Sequence, residues 1–137
     1  MISGTGLDLI ETERIASLLS ADRGFKQRIF SEREITYCDA LYRSPQHYAA
    51  RFCAKEAFFK ALGSGLRHGM SWLEVEVVND RLGAPTLSLS GRAAEICREK
   101  GVGRVHVSLT HTRTTAAAVV ILEEKADGRT CPGPAGV

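Results

Sequence analysis

Three charged residues stand where the surrounding sequence is apolar. Asp8 lies among Leu7, Leu9 and Ile10, while Glu56 and Lys60 share a helical stripe edged by Phe52 and Phe59 on one side and Cys53 and Ala57 on the other. A charge taken out of water needs a partner, because burying it unpaired is expensive. Two carboxylates from separate elements suit Mg²⁺, which takes one or two protein carboxylates and completes its octahedron with water and phosphate oxygens. The segment "LGSG" directly after Lys60 supplies glycines whose backbone can approach a phosphate closely. The set points to a Mg²⁺–phosphate site. Blander readings stay open at this level. Asp8 could cap a helix or make a structural hydrogen bond, and Glu56–Lys60 could be a solvated i, i+4 pair adding about 0.3–0.5 kcal/mol. His111, where a strand opens into a turn, is either a site residue or a surface group, and mid-strand His106 is a lesser candidate. "LGSG" is neither a P-loop nor a dinucleotide fingerprint.

The elements that must position these groups can be read from periodicity. "ISGTGLDLIE" reads as a short strand delivering Asp8. A first helix spans about 11–20 on the spacing of Ile15, Leu18 and Leu19, and the charged stretch 22–28 breaks the chain. "SERE" opens a second helix with the Ser31/Glu34 spacing of a capping box, running to about Tyr42, with Pro45 as a break. A third helix, about 46–62, stops at Gly63. Within it "RFCAKEAFFKALGSG" carries two polar stripes, Arg51/Lys55 and Glu56/Lys60, in an otherwise apolar cylinder. Such a helix is expected to be buried along much of its length, with one stripe facing something that attracts charge.

Later, "SWLEVEVVND" alternates with Leu73, Val75 and Val77 inward, and after a turn "TLSLS" completes a hairpin. Ser90 can cap a helix that Gly101 closes. "RVHVSLTHT" and the nearly continuous apolar "AAAVVILEE" form a second hairpin, the latter strand expected to be buried on both faces. The expected class is α+β, with N-terminal helices packed on a mainly antiparallel sheet. Residues 1–124 form one domain, and the Gly/Pro-rich tail 125–137 is expected to be disordered.

Totals narrow the possibilities. A chain of 137 residues makes one core. A net charge of +2 with no basic run argues against a general nucleic-acid binder. The longest apolar run, 116–122, is too short to span a membrane, and the N-terminus is unlike a signal peptide. Cys38, Cys53, Cys97 and Cys131 have no metal-finger or redox spacing. They are expected to be reduced thiols of a cytoplasmic protein.

Three blocks together resemble the holo-acyl-carrier-protein synthase group of 4′-phosphopantetheinyl transferases. "GTGLDLIETERI" resembles the N-terminal block, with Asp8 at the metal-binding aspartate. "RFCAKEAFFKALGSG" resembles the signature helix, with Glu56 as second metal carboxylate and Lys60 as its lysine, and "VHVSLTHT" with "AAAVVILE" resembles the closing strand pair, with His111 at the family histidine. The likeness covers about residues 2–124. Thr115 stands where the family more often has an aromatic residue.

The resemblance implies an enzyme that moves the phosphopantetheine arm of coenzyme A onto a serine of apo acyl carrier protein in fatty-acid synthesis. It implies Mg²⁺ (or Mn²⁺) held by Asp8 and Glu56, with catalysis by these two and Lys60. Coenzyme A would be bound by Lys60, Gly63, Gly65, His111 and Arg51. Arg14, Arg23, Lys26 and Arg28 would dock the acidic carrier, in a homotrimer with sites between subunits, for which Tyr48, Phe58 and the late strands could be interface or core. Alternatives are a relative serving a polyketide or peptide-synthetase carrier, or a silent module that only binds coenzyme A or carrier.

Overall fold

A computed structural model describes residues 1–126. It opens with strand β1 (Ile2–Glu11), followed by four helices: α1 (Thr12–Ala21), α2 (Phe25–Ile29), α3 (Glu32–Asp39) and α4 (Ser44–Leu62). A single 3₁₀ turn (Trp72–Glu74) leads into the hairpin β2 (Val75–Asn79) and β3 (Pro85–Leu89). Helix α5 (Gly91–Glu99) and strands β4 (Val102–His111) and β5 (Thr115–Glu124) complete the order. The fold is α+β, as expected. β5 is the centre of an antiparallel three-stranded sheet ordered β1-β5-β4, and β2 and β3 form a separate pair.

Helix α4 lies across the inner face of the large sheet. Its approach to β1 is set by two glycines. A side chain at Gly4 or Gly6 would overlap the carbonyl oxygens of Ala61 and Ala57 respectively, so the helix backbone lies almost directly on the strand. Ala116, Ala118, Val120 and Leu122 of β5 are buried beneath α4, and Cys53 Sγ lies 3.5 Å from the Ala116 carbonyl. On the far side of α4, Phe30 packs edge-on against Tyr48 with centroids 4.9 Å apart. Phe52 stacks on Trp72 at 5.2 Å.

Several local expectations change. The stretch after Gly24 is a short helix, α2, rather than only a charged break, because Phe25 and Ile29 bury one turn apart. Pro45 sits inside the first turn of α4, where its missing N–H costs nothing, so the helix begins earlier than expected. Leu73 points outward and is 44% exposed: the 3₁₀ turn takes it out of the strand phase. Ser90 precedes α5 without a side-chain cap bond; Glu74 Oε2 instead accepts from the Ala93 amide at 3.1 Å. Tyr48 and Phe58 are core, 1% and 0% exposed. β5 buries only one face within the chain, and Ala117, Val119 and Ile121 on its other face remain partly exposed. Beyond Lys125 and Ala126, the expected disordered tail lies outside the described residues.

Candidate active site

β1 alternates, and the row Gly6, Asp8, Ile10 faces α4 while Leu7 and Leu9 face outward. With the strand's glycines admitting the helix backbone, Asp8 is delivered to the stripe carrying Glu56 and Lys60. Lys60 Nζ donates to Asp8 Oδ1 at 2.9 Å and to the Leu7 carbonyl at 3.1 Å. The Lys60 side chain is half exposed, whereas Asp8 retains 15% of its side-chain exposure. The bond to Asp8 holds the Lys60 ammonium above its ordinary value, with smaller support from the charges of Asp8 and Glu56. Glu56 has no such bond. Partial burial pushes its carboxyl up, the Asp8 charge adds to this, and Lys60 and Arg14 offset part of it.

Two carboxylates repelling one another across a strand and a helix, with an ammonium drawn to one of them, form a site short of positive charge. A divalent cation relieves that repulsion directly. The donor set fits Mg²⁺ or Mn²⁺: Asp8 and Glu56 could hold the ion, with the remaining positions left for water and phosphate oxygens. Among the described residues no cluster of three or more His, Cys, Asp or Glu side chains is placed to hold a metal.

The other expected site residues are placed less simply. Within one chain Arg51 lies apart from the carboxylates. It is 4% exposed, stacks over the Tyr37 ring at 4.1 Å and donates to Asn79 Oδ1 at 3.1 Å. Its guanidinium is thus committed to the β2–β3 side of α4, away from Glu56. Gly63 and Gly65 adopt left-handed φ values of 78° and 61°, which suits glycine. Their amides, however, are engaged with the carbonyls of Lys60 and Phe59, so these two N–H groups are not waiting for a phosphate.

His111 is on the inner face of β4, paired in register with Ala116. Asp8 and Leu109 share a row through Ala118, and His111 lies two residues farther along. The Cα atoms of Asp8 and His111 are therefore separated by roughly 12 Å. Within one chain His111 does not join the carboxylate pair. It meets His47 instead, rings edge-on with centroids 5.2 Å apart. Burial, then the neighbouring charges of His111 and Arg51, pull His47 down.

His47 was not legible as a site neighbour, since 64 positions separate it from His111 and no spacing rule connects them. Cys53 could have been found, because it precedes Glu56 by three residues on one face of a helix. Its thiol is pushed up to about 12, chiefly by burial and next by the Asp8 charge, and is inert packing under the carboxylates.

Of the basic surface, Arg14 is exposed and borders a shallow depression with Leu9, Ile10, Glu11 and Thr115. Arg23 is also exposed. Lys26 pairs with Asp39 at 3.1 Å and Arg28 with Asp22 at 3.1 Å, so folding partly neutralises a patch that looked more basic in sequence.

Residues 4–120 match the sequence profile of the 4′-phosphopantetheinyl transferase superfamily. The chain belongs to this superfamily. It is 46% identical over 125 residues to a holo-[acyl-carrier-protein] synthase of Geotalea daltonii, covering 90% of the chain and all of that protein. A Geobacter synthase of the same name is 49% identical over 124 residues, covering 90% of the chain and 99% of the relative. Among solved structures, the Bacillus anthracis holo-(acyl-carrier-protein) synthase in complex with CoA (3′,5′-ADP) is 37% identical. It aligns with a TM-score of 0.77 over 91% of this chain and 99% of that one. The Neisseria meningitidis holo-[acyl-carrier-protein] synthase aligns at TM-score 0.82 and 32% identity, over 90% of the chain and 100% of its own length.

Proposed function

We propose that this chain is a holo-acyl-carrier-protein synthase: it transfers the 4′-phosphopantetheine arm of coenzyme A to a serine of apo acyl carrier protein, for fatty-acid synthesis. The other product is adenosine 3′,5′-bisphosphate. The observation that carries the site assignment is the Asp8–Lys60 ion pair beside the Glu56 carboxyl, which burial and then the Asp8 charge push up.

In this reading the serine Oγ attacks the β-phosphorus of coenzyme A. The new P–O bond forms as the bond to the bridging oxygen of the diphosphate breaks, and the serine proton leaves to a base. Asp8 and Glu56 would hold Mg²⁺, or Mn²⁺, which when bound supplies Lewis-acid neutralisation of the phosphoryl oxygens. Lys60, half exposed, can swing from Asp8 to the charge building on those oxygens, the usual dominant contribution in phosphoryl transfer. The serine proton would pass either to a water held at the ion or, through water, to Glu56.

A homotrimer with sites at subunit interfaces completes the reading. The outer face of the large sheet supports it: Leu7 and Leu9 are 67% and 68% exposed, beside the half-covered Ala117, Val119 and Ile121. A neighbouring subunit would cover this apolar strip, and could bring a second chain's His111 to the coenzyme A of the first. Arg14, exposed beside the carboxylates, is the foremost docking cation for an acidic carrier, with Arg23, Lys26 and Arg28 behind it. Cys38, Cys53 and Cys97 are buried free thiols, which suits a cytoplasmic setting. No helix of the described residues is long and apolar enough to cross a membrane.

The test is direct. Protein, coenzyme A, Mg²⁺ and an apo acyl carrier protein are incubated and the carrier is weighed by mass spectrometry. The expected result is addition of one phosphopantetheine group, abolished by chelation of the divalent ion. Binding of coenzyme A with no change in carrier mass would contradict it and favour a silent binding module.

A further inference from the structure

The second polar stripe of α4 has a different fate from the first. Lys55 is fully buried, and so is its partner Glu34, with Nζ and Oε1 2.7 Å apart. The ammonium is saturated: it also donates to the Ile29 carbonyl at 2.8 Å and the Trp72 carbonyl at 3.1 Å. The carboxylate is anchored as firmly. Oε1 accepts from the Ser31 amide at 2.9 Å, and Oε2 from the Val77 amide at 3.1 Å. One ion pair thus ties α4 to the end of α2, the cap of α3, the 3₁₀ turn and strand β2.

Stability alone does not account for such a pair. Replacing a buried ion pair with apolar residues of similar volume is often neutral or favourable. α4 has other directional ties, Tyr48 Oη donating to Asp39 Oδ1 at 2.6 Å and Arg51 to Asn79 Oδ1 at 3.1 Å. Lys55–Glu34, however, is the pair with both side chains fully buried and the ammonium's three donors all answered, and Lys55 is directly beside Glu56 in sequence. Apolar side chains surround the helix on nearly all sides, among them Tyr48, Cys53, Phe58, Phe59 and Leu62, and apolar burial is non-directional. Gly4 and Gly6 fix how near the helix comes to the sheet, but small contacts of this kind tolerate rotation. Lys55 and Glu56 are consecutive, so about 100° separates them around the axis. Anchoring one aims the other.

We propose that the buried Glu34–Lys55 pair is a positioning device for the transfer reaction, fixing the rotation of α4 so that Glu56 faces Asp8. The proposal rests on the functional reading above. A rotation of roughly 20° would carry a group at the helix surface about 2 Å, and displacements of about 1 Å can cost a hundredfold in rate. The device reaches the site only through the helix: neither Glu34 nor Lys55 touches substrate.

Two variants test it, each against the wild-type chain. Glu34→Gln with Lys55→Met removes both charges while leaving an amide to satisfy part of the hydrogen-bonding. Glu34→Asp keeps both charges and shortens the anchor by one methylene. For each, circular dichroism reports folding, steady-state kinetics separates kcat from KM, and electron paramagnetic resonance measures Mn²⁺ binding in the presence of coenzyme A without carrier. The expected result for folded protein is a kcat lowered at least tenfold with both KM values within twofold, and Mn²⁺ binding weakened at least fivefold. Should the double variant not fold, Glu34→Asp decides alone, with the same outcomes expected. Wild-type kcat in a folded variant, or lowered kcat with unchanged Mn²⁺ binding, overturns the proposal while the functional reading stands. A wild-type chain that neither loads a carrier nor binds Mn²⁺ overturns the functional reading, and the proposal with it.

Discussion

Helix α4 carries two charged stripes that meet opposite environments. On one side Lys55 and Glu34 are buried together with every polar atom of the pair answered. On the other, Asp8, Glu56 and Lys60 stay partly exposed, with two carboxylates against one ammonium and Glu56 holding its proton more tightly than usual. The closed side is electrostatically complete and the open side is not. Charges that are balanced and saturated hold structure, whereas charges left out of balance at a cleft are available to a ligand that restores the balance.

The difference can be broken from the closed side first. Lys55→Met alone leaves Glu34 charged, buried and unpaired, and should cost about 3–5 kcal/mol, read as a lowered urea midpoint at unchanged slope. A loss under 1 kcal/mol would mean the pair is not the tie described. On the open side the sign reverses. The raised Glu56 carboxyl means that the folded chain binds this proton more tightly than the unfolded chain. Ionised Glu56 therefore subtracts stability above its folded value, and the penalty disappears as pH falls below the ordinary 4.5. Without metal, Glu56→Gln should raise Tm by about a degree or two near pH 7, with the gain vanishing below pH 4.5. A lower Tm at neutral pH would show that Glu56 is satisfied by contacts of its own.

The same contrast explains what the sequence disclosed. The Glu56/Lys60 spacing and the apolar setting of Asp8 were visible because local neighbours define them. Ser31 and Glu34 were visible as a capping box, and both halves of it form. That Glu34 also answers Lys55 and Val77 was not visible, since those partners lie 21 and 43 positions away. Arg51 shares a helical sector with Lys55 in the sequence. Its commitment to Tyr37 and Asn79 depends on where α3 and β2 dock, which no helical spacing encodes. β5 read as doubly buried because its composition is apolar throughout, whereas one chain supplies a cover for only one face. Gly63 is legible as the stop of α4 and takes the left-handed conformation there, but where the amides of Gly63 and Gly65 turn is a property of the closed loop.

The central claim is that Asp8 and Glu56 act as one unit in the transfer. It is tested most directly by the rate of carrier loading, with saturating Mg²⁺, in Asp8→Ala and Glu56→Ala. Each variant should fold as the wild type does and lose about a thousandfold or more in turnover, the scale of removing a principal electrostatic stabiliser. A folded variant of either kind that kept most of its rate would contradict the account.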